Sequence, residues 1–184
     1  MHRLYTKILA IFNAFTERKG CKLLHLADKF HKLNFRQLMT VYEEGNLENA
    51  REFFAHLPRE QWLLQAEQAF YQYLTEGFFT TPGAVYAIWV ENGEYVSALR
   101  LEPYQDGLLL EALETAPNHR RKGYGEMLIR AVLEAFPEKI YSHVSKHNRP
   151  SLAIHQKCGF VEILDYARYI DGSVAHNAVT LCYR

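Results

Sequence analysis

Cysteine is scarce in this chain: Cys21, Cys158 and Cys182 are the only three in 184 residues. No CxxC pair exists and no Cys/His cluster has zinc-finger spacing, so nothing points to a metal, and a reducing compartment is the simplest reading. Long apolar runs are missing too. Ile8-Leu9-Ala10-Ile11-Phe12 is too short to span a bilayer. Asn13, Glu17, Arg18 and Lys19 follow it without a small-residue cleavage site, which speaks against a signal peptide. The reading is therefore a cytoplasmic protein with no membrane partner. An excess of one charge sign is also absent: 21 Lys and Arg balance 21 Asp and Glu. That argues against a nucleic-acid partner, which usually needs a basic surplus. There is no repeat, low-complexity stretch or linker.

What remains is ordinary globular material, 48% hydrophobic and 23% charged, of a size that suits one domain over residues 1–184. Leu4, Ile8, Ile11, Phe12 and Phe15 recur at helical spacing and predict an N-terminal helix over 1–20. Cys21 to Leu26 reads as a short strand. Asn34 to Glu44 and Leu47 to Glu76 read as helical, with a break at Pro58. Most of their aromatics read as core, though such a helical pair also suits one wall of a substrate cleft. Past Pro82-Gly83 the period changes to that of strands. Ala84–Val90, Tyr95–Leu101 and Leu108–Glu114 form a meander, with turns at Asn92-Gly93 and Asp106-Gly107. A helix over Gly123–Ala135, a strand over Ile140–Val144 and a helix from Asn148 to Gly159 follow. Phe160–Tyr169 and Val174–Tyr183 close the chain as a pair around Asp171-Gly172. The order implies an α/β fold of layered type, a mixed, mostly antiparallel central sheet flanked by helices.

Two stretches carry chemistry. After Pro117, a basic loop with glycines opens a helix: Arg120, Arg121, Lys122, Gly123, Tyr124, Gly125, Glu126. Helix-start N–H groups have no internal partner and can cradle phosphate oxygens. Glycines let the backbone approach the ligand, and the basic residues add charge. The loop lacks both GxxxxGK[ST] and GxGxxG. The second stretch runs from Asn148 to Phe160. Asn148 suits an N-cap, and His155 lies seven residues on, near the same helix face.

Together these residues resemble the GNAT superfamily of N-acetyltransferases. Arg120-x-x-Gly123-x-Gly125 matches its pyrophosphate signature, and Asn148, Ser151, Ile154 and Gly159-Phe160 match its later motif. The resemblance covers roughly Val85 to Arg184, so 84–184 is read as the cofactor-binding core. It implies a GNAT fold with an N-terminal helical extension, and acetyl-CoA as cosubstrate with no metal. It further implies acetyl transfer to a primary amine of a small-molecule or peptide acceptor by direct attack in a ternary complex. A homodimer is compatible with it.

By the same resemblance, Leu113, Glu114 and Thr115 present backbone groups to the pantetheine arm where their strand splays from its neighbour, and the Leu113 N–H polarises the thioester carbonyl. Backbone N–H groups from Arg120 to Glu126 hold the pyrophosphate, and Asn148 holds the cofactor arm. His155 stands where the family usually has Tyr, the general acid toward the CoA thiolate. An imidazole with an ordinary pKa near 6.5 is expected to be usefully protonated near neutral pH. Glu111, on the strand parity of Leu113, is the first candidate base, and Glu114 the second. His143 is a candidate to face the cleft, and His176 reads as structural or acceptor-facing. His25, His31, His56 and His119 show no partner pattern. A non-catalytic acyl-CoA-binding or sensing module is the alternative, since both motifs would survive in one.

Overall fold

The computed structural model describes residues 23–184. The expected N-terminal helix and Cys21 lie outside the described residues. The sheet begins with β1, Leu23–Ala27, and Asn34 then caps α1, Phe35–Val41, its side chain accepting from the Gln37 N–H at 3.1 Å. Tyr42 joins α1 to α2, Glu43–Phe53. The chain breaks around Pro58 before α3, Trp62–Gln72, which runs into a π-helical turn, Tyr73–Gly77. The break was legible from Pro58; the π turn was not.

The meander consists of β2, Val85–Glu91, β3, Glu94–Tyr104, and β4, Gly107–Thr115. Asn92 and Gly93, both at positive φ, make the first turn as expected. The second turn is corrected. Gln105 and Asp106 make it, with Gln105 at φ 50°, and Gly107 already starts β4. Gly107 answers to close packing instead: a Cβ there would meet the Lys139 carbonyl oxygen of the next strand. After α4, Tyr124–Ala135, come β5, Lys139–Ser145, and α5, Arg149–Lys157.

The final pair is also corrected. It divides into β6, Val161–Leu164, a small hairpin of β7, Ala167–Arg168, and β8, Val174–Ala175, and then β9, Ala178–Tyr183. A register irregularity between Glu162 and Leu164 turns the chain out of the main sheet, and the Thr180 hydroxyl holds the Tyr166 carbonyl at 2.7 Å.

Among the described residues, the main sheet has seven strands in the order β1-β2-β3-β4-β5-β9-β6. Every pair is antiparallel except β4 with β5. Alternation along β2 shows why the sheet is covered on both faces. Val85 and Ala87 pack into the core under α4, while Tyr86 and Ile88 pack with α1 and the π turn. This is the mixed, mostly antiparallel layered fold that the element order implied.

Candidate active site

The parallel ladder between β4 and β5 is short. It pairs Gly107 with Lys139 through Leu110 with Ser142, and then stops. On the other side, β3 pairs Arg100 with Glu111 and Ala98 with Glu114, so β4 carries one extra residue between these rungs. The bulged residue is Ala112, at φ 51°. Neither ladder pairs Ala112 or Leu113. A bulge of this kind bends its strand and re-aims the side chains beyond it. The expected splay near Leu113 to Thr115 is therefore present, and β4 and β5 form a fork.

The bulge overturns the parity argument for Glu111. Leu110 and Leu113 both join the core under α4. Glu111 faces the opposite side, where its carboxylate lies 3.9 Å from the Arg100 guanidinium. Glu114 also turns that way, toward Gly45 of α2.

A cavity of about 570 Å³ lies on the α4 side of the fork. Leu113, Glu114, Thr115, Arg120, Arg121, Gly123, Tyr124, Gly125, Glu126 and Asn148 line it, with Ser151 and Ile154. Lys122 is exposed and does not line it, whereas His119, which showed no pattern in the sequence, does. Gly123 caps α4 at φ 84°, a conformation that strains other residues. Gly125 is buried at the first turn, with Thr115 Oγ1 3.6 Å from where a Cβ would stand.

The charges of the loop are arranged less simply than the sequence suggested. Arg120 is committed to the other side of β4: it pairs with Glu44 of α2 at 2.5 Å, and its Nε donates to the Thr115 carbonyl at 3.3 Å. Glu126 is neutralised by Lys157 at 2.6 Å and Arg130 at 3.0 Å, and hydrogen bonds from these two hold its pKa down. The Glu114 carbonyl already accepts from the Ser97 hydroxyl at 2.6 Å. Asn148 spends its side-chain oxygen on capping α5, accepting from the Ser151 N–H at 3.1 Å. Its amide donors remain for a ligand.

A second cavity, of about 200 Å³, occupies the fork itself. Glu111, Ala112, Ser142, His143 and His155 line it, and Leu113, Glu114, Asn148 and Ser151 line both cavities. His155 is 1% exposed. Its Nδ1 lies 2.8 Å from the Ser151 carbonyl, an acceptor, so Nδ1 carries the proton. Nε2 is buried and has no partner among the described residues. Burial lowers the His155 pKa, which corrects the expectation of useful protonation near neutral pH: the resting ring is neutral.

His143 sits edge-on between Tyr104 and Tyr169, at 5.4 and 5.3 Å between ring centroids, with both ring nitrogens unpartnered among the described residues and its pKa lowered by burial. The same face carries Arg100, whose guanidinium lies 4.8 Å above the Tyr73 ring, and Glu102. Burial raises the pKa of Glu114, partly offset by Arg120, and burial with repulsion from Glu111 raises that of Glu102. His176 lines neither cavity. Sequence reading missed Tyr42, Ser97, Arg100 and Tyr73, which no local pattern marks.

A mixed sheet parted between its parallel strands, above a glycine-containing loop that opens a helix, defines the acyl-CoA N-acyltransferase class of fold. The family model described as the Acetyltransferase (GNAT) family matches residues 46–160, and the chain belongs to that family. Solved structures agree on the fold. An aminoglycoside 6'-acetyltransferase type Ii is similar at TM-score 0.58 and 12% identity, over 88% of this chain and 96% of that one. A PaiA N-acetyltransferase from Thermoplasma acidophilum, in complex with coenzyme A, is similar at 0.56 and 12% identity, over 88% and 98%. A spermidine N-acetyltransferase from Vibrio cholerae, in complex with CoA and spermine, is similar at 0.54 and 16%, over 87% and 94%. No curated protein sequence matches the chain. Among the described residues, no helix is long and apolar enough to cross a membrane, and no cluster of His, Cys, Asp or Glu could hold a metal ion.

Proposed function

We propose that this chain, acting as a single domain, transfers an acetyl group from acetyl-CoA to a primary amine by direct attack in a ternary complex. The observation that carries the reading is the fork, where unpaired Leu113 stands between the α4-side groove and the carboxylate-bearing face. The groove would take the pyrophosphate on the N–H groups from Arg120 to Glu126 and the pantetheine arm along Leu113 to Thr115 and Asn148. The Leu113 N–H would hold the oxyanion as the amine adds to the thioester carbonyl.

Glu111 takes the first proton from the ammonium form of the acceptor, so that a neutral amine attacks. The tetrahedral intermediate then expels the CoA thiolate. His155, resting neutral, takes the second amine proton at its unpartnered Nε2 and passes it to sulfur, so that amide and CoA thiol leave with protons balanced. Glu102, Glu111 and Glu114 on the acceptor face favour a cationic amine, small-molecule or peptide.

The test is a panel of polyamines, amino acids, aminoglycosides and N-terminal peptides, incubated with acetyl-CoA and read by thiol release. Turnover with at least one amine, absent in Gly125→Asp, supports the enzyme. Tight acetyl-CoA binding with no thiol release across the panel supports the sensing module instead.

A further inference from the structure

The bulge that opens the fork is held from behind the sheet. Tyr42, at the joint between α1 and α2, is 6% exposed and lines neither cavity. Its ring packs edge-on against Tyr86, at 6.3 Å and 87°, and lies 5.4 Å from the Phe70 ring. Its hydroxyl donates to the carbonyl of Ala112 at 2.7 Å. That carbonyl and the Leu113 N–H belong to one peptide unit. In a trans peptide the two lie in one plane and point in opposite directions, so fixing the carbonyl fixes the N–H. A donor on the carbonyl oxygen also polarises the amide and strengthens its N–H as a donor. Burial raises the Tyr42 pKa well above the ordinary phenol value, so the hydroxyl keeps its proton throughout the working pH range.

We propose that Tyr42 is a positioning residue for acetyl transfer, aiming and polarising the Leu113 N–H toward the thioester oxygen from the opposite face of the sheet. The inference rests on the reading of Leu113 as the oxyanion donor. It also gives the joint between α1 and α2 a part in the chemistry through a residue that lines neither cavity.

Tyr42→Phe removes one oxygen and keeps the ring. Acetyl-CoA labelled with ¹³C at the acetyl carbonyl is bound to wild type and variant, and the thioester stretch is read by isotope-edited infrared difference spectroscopy. Calorimetry supplies the affinities for CoA and acetyl-CoA. Wild type should lower the band relative to free acetyl-CoA. The variant should give back most of that shift and keep CoA affinity within about twofold. With an accepted amine, kcat should fall about tenfold while KM for acetyl-CoA stays nearly constant, a fraction of the roughly 10²–10³ that follows outright loss of an oxyanion donor.

A merely structural Tyr42 would reduce the folded fraction without moving the band of the acetyl-CoA that binds. An identical shifted band in both proteins overturns the role of Tyr42 alone. Wild type that binds acetyl-CoA with no shifted band overturns the Leu113 reading, and this inference with it. If Tyr42→Phe does not fold, Tyr42→3-fluorotyrosine, close in size and a stronger donor, should move the band further down; an unmoved band counts against the proposal.

Discussion

The two sides of the fork are assembled from the sequence in different ways. The groove on the α4 side draws on two short stretches, Leu113 to Glu126 and Asn148 to Ile154. The opposite face gathers Glu44 from α2, Tyr73 from the π turn, Arg100 and Glu102 from β3, Glu111 from β4, His143 from β5 and Tyr169 from beyond β7. A phosphate cradle needs consecutive backbone N–H groups at one helix start, so its signature is contiguous. An acceptor wall needs only side chains that converge, and any element can supply them. The first kind of site announces itself by motif, and the second only in three dimensions.

The sharpest way to break this division is at Gly125. Gly125→Asp should abolish measurable acetyl-CoA binding by calorimetry, because it puts a carboxylate where the pyrophosphate would sit. Gly125→Ala is the control. Its methyl would meet no atom closer than 3.6 Å, so the free protein should melt within a few degrees of wild type, and any lost affinity reports the ligand. Wild-type affinity in a folded Gly125→Asp would remove the groove from the cofactor.

The other side is probed by its carboxylates. Glu111→Gln should lower kcat/KM by roughly 10²-fold or more, within the usual range for a general base. Glu114→Gln should cost less than about tenfold. The reverse order would move the base to Glu114, whose pKa burial already raises.

A smaller effect concerns pH. His155 titrates below its ordinary 6.5 in the fold. Between the folded value and 6.5 the unfolded chain binds more protons, so stability rises with pH there. The contribution is fully present above 6.5 and is lost as pH falls toward the folded value; burial of His143 acts in the same direction. The melting temperature should therefore fall as pH drops below about 6.5, and His155→Phe should flatten that fall. An unchanged slope would mean that the ring is not held neutral.

The least effect is expected at Arg120. Its guanidinium is engaged by Glu44, so Arg120→Ala should weaken acetyl-CoA binding less than about fivefold and cost at most about 1 kcal/mol of stability, as exposed ion pairs do. A tenfold loss with a shallower salt dependence would place the charge on phosphate after all.

Much of the fold was legible. The change of period after Pro82-Gly83 and the Asn92-Gly93 turn marked the start of the meander, and Gly123 and Asn148 marked two helix starts. The bulge at Ala112 was not legible, because an alanine at positive φ has no local signature; it is set by Tyr42 and by the ladder with β3. Missing it put Glu111 on the wrong face. The burial of His155 was equally hidden: the Ser151 carbonyl is a partner within its own helix, but the Phe160 ring comes against the imidazole only in the folded chain.

The most direct measurement is a crystal structure with acetyl-CoA bound. The pyrophosphate should rest on the N–H groups from Arg120 to Glu126, with the pantetheine arm between Leu113–Thr115 and Asn148 and the thioester oxygen within hydrogen-bond reach of the Leu113 N–H. Acetyl-CoA bound away from the fork, or β4 and β5 paired through Thr115, would contradict the account.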